Sequence, residues 1–118
     1  MKTLKVTELL GTPVLLAAEK GDELSKHIRN SLGLLTRSIE VDFSGYQFLS
    51  SAFLNHAFGQ MCIDEEWDVE KFHRTIKITG LDEDDKDELS VALDNAQTRL
   101  RMLKKGIKPE ELFERIPA

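Results

Sequence analysis

The chain has 118 residues, of which 41% are hydrophobic and 31% are charged, a composition typical of a globular protein and not of a disordered one. A chain of this length can bury a substantial fraction of its unfolded surface in one core, so a single domain is expected. The formal net charge of −5 disfavours nucleic acid and anionic membrane surfaces as partners.

Cys62 is the only cysteine, which excludes an intramolecular disulfide and any zinc site built from several thiolates. The first residues lack the apolar run of a signal peptide, and no stretch approaches the ~20 apolar residues of a membrane span. A reducing, cytoplasmic location is therefore expected, with neither export nor a membrane anchor.

The first half of the chain carries clear secondary-structure signals. Residues 13–18 form an apolar run that is typical of a buried strand or of the start of a helix, and the pattern leaves both open. A helix is predicted from Asp22 to a stop near Gly33, with its apolar stripe at Leu24, Ile28 and Leu32. A strand is predicted over 38–43, where polar residues alternate with Ile39, Val41 and Phe43.

A second helix is predicted over 51–62, because apolar residues recur there at helical spacing: Leu54, Ala57, Phe58 and Met61. Ser50 and Ser51 are both able to cap its start. The acidic stretch 64–70 is predicted to be irregular, and the alternation of Ile76 and Ile78 predicts a strand over 75–79.

The most regular pattern opens at Asp82 and predicts a long helix that ends at Gly106, with acids in its first turns and bases in its last. A short amphipathic helix is predicted over 109–116, with its apolar face formed by Leu112, Phe113 and Ile116. The expected organisation is thus an α/β domain over 1–106, followed by a C-terminal helix within 107–118. Alternating strands and helices predict a small, mostly parallel or mixed sheet with helices packed largely on one face.

The residue types that carry chemistry do not form a recognisable catalytic pattern. His27, His56 and His73 lack metal-ligand spacing, and the single glycines form no phosphate-binding loop. The acidic run 82–88 lacks the glycine and the later glutamate of a calcium-binding loop, and a helix start explains it more simply. We therefore expect no enzymatic activity, no metal and no cofactor.

The segment 41–54 is the most informative, because it ends a strand in Asp-Phe-Ser-Gly and then places Ser50 and Ser51 at a helix start. Main-chain N–H groups at such a position can accept an anion. A plain capping role for one serine explains the same pattern, and the residues alone leave both interpretations open.

Here the sequence resembles the STAS domains, named for sulphate transporters and anti-sigma factor antagonists, and more closely their STAS-like relatives of unknown function. The resemblance is best over 39–61. In the antagonists an Asp-Ser-Ser-Gly segment opens the helix, and its first serine is phosphorylated by a partner kinase. That serine aligns with Ser51, while Ser50 replaces the aspartate and Ala52-Phe53 replaces Ser-Gly.

The resemblance implies a STAS-like fold and a cytoplasmic regulatory module that docks a protein partner, either a histidine-kinase-like ATPase or a sensor. It implies Ser51 as the phosphorylation site, and a docking surface formed by Ser50, Ser51, Asn55 and His56. The alternative is a structural or assembly subunit that has no phosphorylation switch and forms homo-oligomers through apolar surface, with the C-terminal apolar residues packed on another copy.

Overall fold

The computed structural model describes residues 1–106, so the predicted helix over 109–116 lies outside the described residues. Three parallel strands form the central sheet in the order β1 (Lys2–Lys5), β3 (Ile39–Asp42) and β5 (Ile76–Thr79). The structure confirms the predicted α/β class with a small parallel sheet. The first strand was not predicted, because only Leu4 of its four residues is buried and no alternation is visible.

The two faces of the central sheet differ sharply in polarity. Residues paired across parallel strands point to the same side, and the register aligns Leu4, Val41 and Ile78. This side is covered by the helices, whose buried residues join the same core. The opposite side carries polar residues, among which Glu40 accepts hydrogen bonds from Thr3 at 3.0 Å and from Thr79 at 2.9 Å.

A second, smaller sheet pairs β2 (Val14–Leu15) with β4 (Phe48–Leu49), also in parallel. The short helix α1 (Val6–Leu10) connects β1 to β2. The run 13–18 therefore combines the two structures that the sequence left open, since a strand occupies its middle and a helix begins at its end. Neither α1 nor β4 was predicted, because each is too short to show a period.

Helix α2 (Ala18–Ser31) begins four residues before the predicted start at Asp22. Gly21 masks this first turn in the sequence, because glycine has a low helix propensity. Its role is a close helix crossing: a Cβ at this position would lie 2.5 Å from the carbonyl oxygen of Phe53 and 2.9 Å from the Cβ of His56. Only glycine allows α2 to approach the next helix this closely.

The predicted helix over 51–62 extends to Glu65 and contains an unpredicted π turn. Its parts are α3 (Ser51–Leu54), the π turn (Asn55–Gly59) and α4 (Gln60–Glu65). A further helix, α5 (Val69–Thr75), was not predicted; it begins in the last two residues of the stretch 64–70, and Asp68 caps it by accepting the N–H of Lys71 at 2.7 Å. The acidic composition of that stretch concealed an N-cap signal.

Helix α6 (Glu83–Lys104) confirms the longest predicted helix, and Asp82 caps it by accepting the N–H of Asp85 at 2.9 Å. Within residues 1–106, no helix has the length and apolar character needed to cross a membrane. The core under the helices is built around four fully buried phenylalanines in edge-to-face contact: Phe43, Phe53, Phe58 and Phe72.

Candidate functional site

The junction between β4 and α3 is held by Ser50, which is the N-cap of the helix. Its hydroxyl accepts the N–H of Phe53 at 3.0 Å and donates to the carbonyl of Leu16 at 2.7 Å. Its main-chain N–H also donates to the carbonyl of Leu15 at 3.0 Å. Ser50 therefore ties the small sheet to the helix start, and its hydroxyl is fully engaged in that task.

Ser51 follows as the first helical residue, and it is exposed. Its hydroxyl donates to the Oε2 of Glu88 on α6, at 3.0 Å. Of the two serines able to cap the helix, Ser50 does so, and this leaves the Ser51 hydroxyl accessible. A phosphate on Ser51 would gain from the N–H groups of the helix start and would meet the Glu88 carboxylate as a like charge.

Asn55 and His56 lie in the π turn, and they point to different flanks of the helix. Asn55 shares a stripe with Ser51 and Gly59, and Gly59 packs beside Ala92 of α6. His56 points to the other flank, where its Nδ1 lies 2.9 Å from the Oδ1 of Asp22 on α2. The structure thus brings Ser50 and Ser51 together, while His56 belongs to the α2 side.

A polar groove of about 190 Å³ runs along that α2 side. Its lining consists of Asp22, Ser25, Lys26, Arg29, His56, Gln60 and Asp64. Arg29 and Asp64 form an ion pair across it at 3.0 Å, and Gln60 donates to the same carboxylate at 2.9 Å. The ion pair joins α2 to α4 and the Gln60 contact lies within α4, so helix packing explains these three polar side chains of the lining.

The small sheet exposes apolar side chains beside the serines. Val14 and Phe48 are paired residues and point to the same side, with 39% and 58% of their surfaces exposed, whereas the neighbouring Leu15 is fully buried. Leu16, directly after β2, is 48% exposed. We call Val14, Leu16 and Phe48 the outer face. Sequence reasoning missed it because β4 was not recognised, although the exposed, buried, exposed order of residues 14–16 is what an alternating strand produces.

The first turns of α6 approach the same junction from the other side. Tyr46 donates its phenolic hydrogen to Asp85 at 2.5 Å and accepts the N–H of Asp82 at 3.1 Å. Burial raises the pKa of Tyr46 to about 12, so this phenol stays protonated near neutral pH. Tyr46 in the loop before β4 and Ser51 at the start of α3 are therefore both hydrogen-bonded to α6.

Three exposed acids of these turns form one stripe, since Asp87 and Glu88 follow Asp84 by three and four residues. We call them the acidic ridge. Within residues 1–106 none of the three has an ion-pair partner, whereas the neighbouring Glu83 pairs with Lys86 at 3.1 Å. Glu88 joins the ridge to the helix start through its contact with Ser51.

The pKa shifts of two other titratable groups follow from burial and from hydrogen bonding. Burial raises the pKa of the Cys62 thiol to about 11, so the thiol is protonated near neutral pH. Hydrogen bonds from the hydroxyl and the N–H of Ser44 lower the pKa of Asp42. In the described part of the chain, no group of three or more His, Cys, Asp or Glu side chains is arranged to hold a metal ion.

Residues 20–86 match the model of a family described as "STAS-like domain of unknown function (DUF4325)". The chain belongs to this family. The match covers more than half of the sequence, from α2 to the first turn of α6, and includes both serines and the π turn. It confirms the resemblance predicted from residues 39–61. Comparison with curated proteins and with solved structures finds no match to this chain.

Proposed function

We propose that the protein is a cytoplasmic regulatory binding module that docks a histidine-kinase-like ATPase or a sensor through the start of α3, with Ser51 as its phosphorylation switch. The observation that supports this best is that two adjacent serines use their hydroxyl groups differently. Ser50 uses its hydroxyl for capping, and Ser51 keeps an exposed hydroxyl whose hydrogen bond within residues 1–106 is to an exposed acid, Glu88. The proposal assigns the chain a binding role and no catalytic one.

A phosphate on Ser51 is expected to change the surface and to leave the fold intact. It adds about −1.5 to −2 charges near pH 7, which the N–H groups of the helix start stabilise. It also repels Glu88, and because that side chain is exposed, it can turn into solvent at little cost. A partner that covers the helix start, in contrast, must either desolvate the phosphate or pair it with a cation.

The test uses a purified histidine-kinase-like ATPase as the candidate partner. Its affinity would be measured for the unmodified protein, for Ser51→Ala and for the Ser51-phosphorylated form, with thermal melting followed in parallel. Ser38→Ala is the control, because Ser38 lies directly before β3 and outside the helix that Ser51 begins. We expect a large change in affinity on phosphorylation with little change in melting. Equal affinity across the three forms would reject the switch.

One observation favours a second candidate function, that of an assembly subunit. Leu34 and Leu35, in the connection between α2 and β3, are 93% and 100% exposed, and such residues are common in contacts between copies. The C-terminal residues Leu112, Phe113 and Ile116, predicted to pack on another copy, lie outside the described residues. Sedimentation of the native protein and of the double variant Leu34→Thr, Leu35→Thr separates the candidates: an oligomer that becomes a monomer supports assembly.

A further inference from the structure

The outer face of the small sheet exposes apolar surface that the core does not use. Its three side chains are between 39% and 58% exposed, although β2 and β4 bury Leu15 completely on their other side. Phe48 is the largest of them, and a partly exposed aromatic side chain is the usual anchor of a protein interface. The face adjoins the helix start directly, because Ser50 bonds to both Leu15 and Leu16.

The acidic ridge contacts the helix start that this face adjoins. Ser51 contacts Glu88, and Tyr46, two residues before Phe48, contacts Asp85 in the same turns of α6. Interfaces commonly place an apolar centre beside a charged rim, and the rim's charge must be matched by the partner. Here the rim is negative, and within residues 1–106 the ridge acids lack cationic partners.

We propose that the outer face and the acidic ridge form one docking surface, and that its occupant is a segment of another protein that presents apolar side chains beside lysine or arginine. The apolar side chains pack against Phe48 and Leu16, and the cations pair with Glu88 and Asp84. This inference rests on the proposed function, because it names the chemistry of the partner that docks at the helix start.

The charges favour a foreign partner over a second copy. In a two-fold dimer the same surface lies on both sides of the interface, so two acidic ridges would border one apolar centre. Like charges so placed oppose association. A basic partner removes this repulsion and gains from long-range attraction, which makes its binding weaken as salt is added.

The test selects ligands from a phage-displayed library of random dodecapeptides at low salt. Selected peptides are synthesised, and their affinities are measured for the native protein, for Phe48→Thr and for Glu88→Gln. Leu34→Thr, in the connection between α2 and β3, and Glu70→Gln, on α5, are the matched controls, since both residues are exposed. Chemical-shift mapping with the tightest peptide then locates its site on the native protein.

We expect selected peptides to combine apolar residues with lysine or arginine and to bind at the outer face. Phe48→Thr should weaken them roughly tenfold or more, and Glu88→Gln about two- to fivefold, with no change for the controls. Affinity should fall as salt is added. Peptides that are acidic or uncharged, binding that survives Phe48→Thr, or the absence of any selected peptide would overturn the proposal.

A native dimer that Phe48→Thr converts to a monomer would also overturn it, by identifying a second copy as the occupant. The proposal of a docking surface and the proposal of a phosphorylation switch can be rejected independently. Loss of peptide binding in Phe48→Thr with equal partner affinity for all three Ser51 forms would keep the surface and reject the switch. A phosphorylation effect on partner affinity, with no peptide at the outer face, would do the reverse.

Discussion

The two sheets of this protein distribute apolar residues in opposite ways on the sides that face solvent. The central sheet covers its apolar side with helices and shows solvent a polar side on which Glu40 joins Thr3 to Thr79. The small sheet buries Leu15 and shows solvent Val14 and Phe48. The arrangement in the central sheet follows from the hydrophobic effect alone, because every exposed position there is polar. The outer face of the small sheet needs another explanation, and docking supplies one.

The largest expected effect lies in the core beneath the central sheet. Phe58 is fully buried and contacts the rings of Phe43 and Phe72, with centroids 6.1 and 5.5 Å apart. Phe58→Ala should therefore lower the free energy of unfolding by about 3–5 kcal/mol, measured by chemical denaturation. An unchanged denaturation midpoint would show that this ring does not support the covered side of the sheet.

The core residues and the long elements were predictable because apolar residues recur in them at a regular spacing. Alternation in 38–43 and the long stripe of α6 are periodic signals, and the structure confirms both. The elements that escaped prediction are short or conceal their caps: β1 shows one buried residue, β4 has two residues, and α5 begins behind Asp68 in an acidic stretch. A period cannot be recognised in two to five residues.

The candidate site was predictable in part. The residues identified the helix start and its two serines, and they could not decide which serine caps the helix, because both have the same hydroxyl. That choice depends on the carbonyl of Leu16, which reaches Ser50 only after β2 and β4 have paired. The direction of His56 likewise depends on the π turn, which shifts the positions after Leu54 relative to a regular helix.

The next largest effect concerns how closely the helices cross on the covered side. Gly21→Ala would place a Cβ 2.5 Å from the carbonyl oxygen of Phe53, and the resulting shift of α2 should cost about 1–3 kcal/mol. Gly59→Ala is the matched control, since its Cβ would meet atoms only at 3.6 Å or beyond. Thermal unfolding of both variants measures the difference, and equal melting temperatures would contradict the close crossing.

The junction between the small sheet and α3 predicts unequal roles for the two serines. Ser50→Ala removes the cap on the N–H of Phe53 and the bond to the carbonyl of Leu16, so it should cost about 0.5–2 kcal/mol. Ser51→Ala removes one exposed bond to Glu88 and should cost less than about 0.5 kcal/mol. Denaturation of both variants tests this order, and a greater loss for Ser51→Ala would reverse the assignment of the cap.

A smaller effect is expected at Asp42, at the carboxyl end of the polar side of the central sheet. Its pKa is lowered in the folded protein by the hydroxyl and the N–H of Ser44, so its contribution to stability is present above the unfolded pKa of about 3.9 and is lost as the pH falls through the folded pKa. Ser44→Ala should raise the pKa of Asp42 in the folded protein, and less stability should then be lost as the pH falls. Titration of the carboxyl by NMR checks it, and an unchanged pKa would refute the role of the hydroxyl.

The smallest effect on stability should come from the outer face itself, and it tests the comparison between the sheets most directly. Phe48→Thr keeps a residue that favours strands and removes an aromatic ring that is 58% exposed, so the free energy of unfolding should change by about 0.5 kcal/mol or less. Leu15→Ala, on the buried side of the paired strand, is the control and should cost about 2–5 kcal/mol. Chemical denaturation of both variants measures this contrast. A loss at Phe48 as large as that at Leu15 would show that folding requires the outer face, and the apolar residues there would no longer call for a docking partner.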